Sequence, residues 1–172
     1  VTTGQVEDTV AVGFEALKGA AGTAGQGTVA IGSQALTALT SGTGNIAVGY
    51  SALSGITTGG DNIAIGYGAL DAVVDTEEDN IAIGTNAMGA VNQGTDGSAD
   101  ADFNVAIGTN ALFGGTFGSS NQNLNDNVAI GYQAMDGTGT IDATNCIAIG
   151  TNALGGTWTG SPSYRNIAIG TE

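Results

Sequence analysis

The sequence predicts an all-β fold, a parallel β-roll or β-helix solenoid of about nine short coils. Three observations predict it. One short word, Val/Ile-Ala-Val/Ile-Gly, returns nine times, usually opened by Asn or Thr and followed within a few residues by Ala-Leu. Within each word β-branched residues alternate with small ones, the period of a strand. Gly makes up 31 of 172 residues and charged residues only 10%, yet 41% of the chain is hydrophobic and strictly patterned, which argues for an ordered repeat over disorder.

The words follow one another along the whole chain. They read Thr9-Val10-Ala11-Val12-Gly13, Thr28-Val29-Ala30-Ile31-Gly32, Asn45-Ile46-Ala47-Val48-Gly49, Asn62-Ile63-Ala64-Ile65-Gly66 and Asn80-Ile81-Ala82-Ile83-Gly84. Then come Asn104-Val105-Ala106-Ile107-Gly108, Asn127-Val128-Ala129-Ile130-Gly131, Cys146-Ile147-Ala148-Ile149-Gly150 and Asn166-Ile167-Ala168-Ile169-Gly170. The Gly-to-Gly steps are 19, 17, 17, 18, 24, 23, 19 and 20 residues, one short strand per coil. The pair after each word (Ala52-Leu53, Ala69-Leu70, Ala111-Leu112) is too short for a helix and is expected to begin a return strand.

Stacked coils place like residues above like, about 4.8 Å apart. The expected interior is the Val/Ile ladder, leaving a flat Ala/Gly face against which another backbone can approach. One thin coil cannot bury two apolar faces, so the expectation is a homotrimer around a common axis; a wider single-chain helix is the alternative. The recurring Gly requires positive φ or close approach. The opening Asn implies either a stacked amide ladder or an Asx turn.

All 172 residues read as a single solenoid with insertions at 89–103, 113–126 and 155–165. Insertions in a solenoid often form the binding face. Phe113, Phe117, Trp158, Tyr164 and Arg165 are therefore the binding-loop candidates, with Phe103 also outside the words. Asp96, Asp100 and Asp102 lie close together in a Gly-rich stretch; hard oxygen ligands at that spacing suit Ca²⁺, against the reading of a solvated acidic loop.

Net charge is −14, with Lys18 and Arg165 as the only cations, so a phosphate backbone could not be neutralised and nucleic-acid binding is not expected. No apolar run reaches membrane-spanning length, and no membrane insertion is expected. His is absent, and no Gly-x-Ser-x-Gly, P-loop or Cys-x-x-Cys occurs, so the reading is not an enzyme. Cys146 is alone and stands where other words carry Asn. No cofactor other than Ca²⁺ is suggested. The ninth word ends at Thr171-Glu172 before any Ala-Leu, which leads to an expectation of end-to-end stacking or of a longer parent chain.

With these words in hand, the Asn-Val/Ile-Ala-Ile-Gly motif resembles the head repeats of YadA-like trimeric autotransporter adhesins. The resemblance implies a left-handed parallel β-roll with three chains around one axis. The longer form, Asn62 through Leu70, is more similar to repeats of bacteriophage tail-fibre and virion-fibre proteins. The coil steps are longer than is usual in the adhesin heads, and no heptad stalk or anchor barrel is visible. The implied function is a structural fibre or surface protein, on a virion or outside a cell, whose rigid roll displays loops for attachment to a host or a neighbouring subunit. A glycan or other surface receptor is the implied partner. A bacterial adhesin fragment and a self-assembling extracellular filament subunit are the other two readings.

Overall fold

The computed structural model describes residues 8–20, 25–72, 76–90, 100–114, 123–137, 142–156 and 162–172. Each word is a strand: β1 (Val10–Val12), β2 (Val29–Ile31), β3 (Ile46–Val48), β4 (Ile63–Ile65), β5 (Ile81–Ile83), β6 (Val105–Ile107) and β7 (Val128–Ile130). After β8 (Ala143–Thr144) come β9 (Ile147–Ile149), β10 (Ser163–Tyr164) and β11 (Ile167–Ile169). The nine word strands form one parallel sheet in the order β1-β2-β3-β4-β5-β6-β7-β9-β11, and β8 pairs with β10 in a small second sheet. Register is constant, with Ala always opposite Ala: Ala47 pairs with Ala64, and Ala64 with Ala82. Among the described residues there is no helix. The chain is an all-β parallel solenoid.

The alternation is as expected, but the face assignment is reversed. Ala30, Ala47, Ala64, Ala82, Ala106, Ala129 and Ala148, the central residues of the inner strands, are fully buried. The Val and Ile on either side of them point outward and are half-exposed to exposed. The reason is volume. Packed with the Ala of β2 to β7 stand Leu36, Leu53, Leu70, Met88, Leu112 and Met135, all without solvent exposure. The turns supply these large side chains, Leu39, Ile56 and Leu124 add to them, and the small Ala of each word is what fits beside them. Ile facing inward would overfill the coil.

The expected return strand after Ala-Leu is not formed; residues 33–38, 85–90 and 132–137 are turns. Leu36, Leu53, Leu70, Leu112 and Leu154 have φ between 48° and 52°, and Met88 and Met135 match them at 52° and 53°. Bulky residues rarely adopt this left-handed conformation. Here it aims each side chain into the coil while its N–H continues the ladder: Leu53 donates to Ala69 O (3.0 Å) and Leu112 to Ala134 O (2.8 Å). The Gly that closes each word but the last has both positive φ and a close backbone approach; Gly170 has the positive φ alone. Gly66 has φ 139°, and a Cβ there would fall 2.4 Å from the carbonyl oxygen of Gly84.

Of the two readings of the opening Asn, the amide ladder is the one formed. Asn45, Asn62, Asn80, Asn104 and Asn127 are fully buried. In each step the backbone N–H and the side-chain Nδ2 of one Asn both donate to Oδ1 of the preceding one, as Asn62 does to Asn45 (3.1 Å each) and Asn80 to Asn62 (3.0 and 3.1 Å). Nδ2 also reaches the carbonyl of the following coil, such as Glu77 O from Asn62 (2.7 Å) and Ala101 O from Asn80 (2.7 Å). These bonds satisfy buried backbone groups at the corner, which otherwise would carry a desolvation cost.

Candidate functional site

The outward positions of the large sheet make its most distinctive surface. Two β-branched apolar residues project from each of the nine strands, with no polar side chain between them. Even inside the sheet, where neighbours above and below shield each side chain, Ile31 and Ile65 remain 39% exposed and Ile107 36%. The two columns stand about 7 Å apart and run for about 43 Å, on strand geometry alone. Soluble proteins seldom leave a continuous flat apolar strip of this kind uncovered.

Different chemistry flanks the strip on its two sides. Two residues before the first Val/Ile of a word stands a left-handed corner residue, which is Asp8, Asp61, Asp79 and Asp126 in four coils, with φ of 57° to 59°. All four are exposed. On the other side, directly after each Gly, stand Phe14, Tyr50, Tyr67 and Tyr132, with Ser33, Thr85, Thr109, Thr151 and Thr171 filling the remaining coils. Tyr67 is 59% exposed and stacks on Tyr50, ring centroids 5.2 Å apart and nearly parallel. Sequence reasoning missed this face. Its signal was present in the residue after each Gly, which is aromatic or hydroxylated in every word.

The residues singled out from the sequence are placed differently. Asp96, Phe117 and Trp158 lie outside the described residues. Asp100 is exposed, and its backbone N–H donates to Asn123 Oδ1 (3.2 Å). Asp102 is half-buried, and its Oδ1 accepts from the Glu78 N–H of a neighbouring coil (2.9 Å). Burial raises the Asp102 carboxyl above the ordinary Asp range; the Glu78 amide opposes the shift, and the charges of Asp100, Glu78 and Asp79 add to it. Among the described residues, no three His, Cys, Asp or Glu side chains converge as a ligand set.

Phe113 is half-buried beside the turn at Leu112. Tyr164 lies in β10, exposed, with its hydroxyl 3.3 Å from Asp142 Oδ2. Arg165 and Phe103 share a coil position with Asp61 and Asp79, left-handed and exposed at the edge of the apolar strip. Thus Phe103 and Arg165 belong to the flank of the large face, while Phe113 sits at a different corner.

Cys146 is fully buried at a node of the amide ladder. Its Sγ lies 3.5 Å from Thr144 O and Ser163 O, the equivalents of the carbonyls that Nδ2 reaches elsewhere, and 3.9 Å from Asn166 Nδ2. It takes the place of Asn in the ladder, with longer thiol contacts where the other nodes have amide hydrogen bonds.

No helix among the described residues is long and apolar enough to cross a membrane. Comparison with family models, with curated proteins and with solved structures found no match for this chain.

Proposed function

We propose that this chain is a structural fibre module, a stiff β-solenoid that self-associates along its Val/Ile face and carries its loops outward for attachment. The observation that carries the proposal is the uncovered ladder of Val and Ile along all nine strands of the sheet. With its flanking columns the face measures about 20 Å by 43 Å, or ~850 Å², close to the ~800 Å² per partner of a standard stable interface. The assembly is a homotrimer with the Val/Ile ladders turned toward the shared axis. The Ala ladder cannot serve as the contact, because it is spent inside each coil.

The role is mechanical: parallel register and the amide ladder make a rod. The resemblance to tail-fibre repeats supports placing such a rod on a virion or cell surface, with a host or neighbouring subunit as the attached partner. Negative-stain electron microscopy of the purified chain, combined with light scattering, tests the proposal. Straight rods about 40 Å or more in length with a mass of three chains are expected. Single chains in solution, or globular particles, would overturn it.

A further inference from the structure

Tyr50 and Tyr67 occupy the same place on neighbouring coils, each directly after the Gly that closes the word of β3 or β4. Parallel register sets their backbones one strand spacing apart, about 4.8 Å. The rings stack, with centroids 5.2 Å apart and 13° between their planes. Both side chains are exposed, at 48% and 59%. We infer that this pair is an oxidative cross-linking site, where a one-electron oxidant of the haem-peroxidase class, supplied with hydrogen peroxide, joins the two coils through a dityrosine bond. Both rings belong to one chain, so the inference does not depend on how copies of the chain associate.

Each phenol gives one electron and its O–H proton to the oxidant, and the phenoxyl radical that results carries spin on the ring carbons ortho to oxygen. Two such radicals couple between ortho carbons. One C–C bond forms, each ring releases the hydrogen of that carbon as a proton, and both phenol O–H groups are restored. The two electrons and two protons lost overall reduce one hydrogen peroxide to two waters. Coupling requires a second radical within reach before the first is quenched. Stacking on adjacent coils supplies that partner at an effective concentration that separate chains do not reach, and exposure leaves both side chains free to turn their ortho carbons together. The other two tyrosines have no such neighbour. Tyr132 has Thr109 and Thr151 on the coils to either side and lies three strand spacings from Tyr67, about 14 Å. Tyr164 stands in the small sheet, with its hydroxyl 3.3 Å from Asp142 Oδ2. A disulfide within the chain is not an alternative, because Cys146 is its one cysteine and is buried. A covalent bond between Tyr50 and Tyr67 restricts the unfolded chain as a disulfide loop does.

Treating the purified full chain with a haem peroxidase and hydrogen peroxide tests the inference. Dityrosine is read by its fluorescence and by intact mass, as the loss of two hydrogens. Proteolysis before Asp residues cuts between Tyr50 and Tyr67 at Asp61, so a peptide joining the two is diagnostic. That peptide is expected at least tenfold above any joined peptide containing Tyr132 or Tyr164. Tyr50→Phe and Tyr67→Phe both keep the ring, and each is expected to lower the signal at least tenfold, whereas Tyr132→Phe leaves it unchanged. The cross-linked chain is expected to melt above the parent. Product spread evenly over the four tyrosines, product formed only between chains, or no product in a mixture that couples free tyrosine would overturn the inference. A cross-linked chain that melts no higher than the parent would overturn it as well.

Discussion

At the scale of single residues, the amide ladder explains both what holds the corner and where it is weak. Asn127 Oδ1 accepts the backbone N–H of Cys146 (3.0 Å), but the Cys146 thiol makes only longer, weaker contacts where the other nodes have a side-chain amide. Replacing Cys146 with Asn is expected to restore the amide hydrogen bonds, each contributing ~0.5–1.5 kcal/mol. A thermal melt of Cys146→Asn should show a Tm a few degrees above that of the parent; a lower Tm would mean that the node is too tight for the amide.

Two half-buried carboxyls set a pH dependence. Asp71 and Asp102 are both raised above the ordinary Asp value, chiefly by burial, with a backbone hydrogen bond opposing the shift in each. A carboxyl whose folded pKa is raised stabilises the fold most when protonated, and that contribution is lost as pH rises through the folded pKa. Stability from these two groups should therefore increase on acidification from pH 7 into the mildly acidic range. Asp71→Asn and Asp102→Asn should raise Tm at pH 7 and flatten its pH profile. An unchanged profile in the double variant would remove these residues as the cause.

At the scale of the repeat, the strands were legible because β-branched alternation ending in Gly has few other structural meanings. Which side of the strand faced inward was not legible. Parity places Ile46 and Val48 on one face and Ala47 on the other, but only the width of the coil decides which face is buried. That width depends on Leu36 and Leu53 reaching across from left-handed turns, a conformation that propensity argues against for Leu. The same turn explains why no return strand follows Ala-Leu. Of the predicted attachment and metal residues, the structure describes Asp100, Asp102, Phe113, Tyr164 and Arg165, and it spreads them over different corners. The apolar strip that the solenoid does present was hidden by the assumption that the largest apolar side chains go inside.

Gly66→Ala provides the local test of the turn. Its φ of 139° and the 2.4 Å approach to Gly84 O leave no space for a methyl group. A loss well above ~1 kcal/mol is expected by chemical denaturation, since Ala is placed where φ is positive and backbone must shift. A neutral result would show that the coils stack less closely than described.

For the whole molecule, the reversed faces separate two properties that an inward Val/Ile ladder would combine. Substitution inside the coil should damage the fold of each chain, whereas substitution on the outer face should damage only association. The most direct measurement is sedimentation equilibrium with circular dichroism on a matched pair of neighbours, Ala64→Leu and the double change Ile65→Glu with Ile107→Glu. Ala64 is fully buried, and overpacking it should cost ~1–3 kcal/mol and lower the Tm of the chain itself. The double Glu variant should keep the β spectrum of the parent and sediment as a monomer, while the parent sediments as three chains. A parent that is already monomeric, or a double Glu variant that loses its β structure while Ala64→Leu does not, would contradict the account.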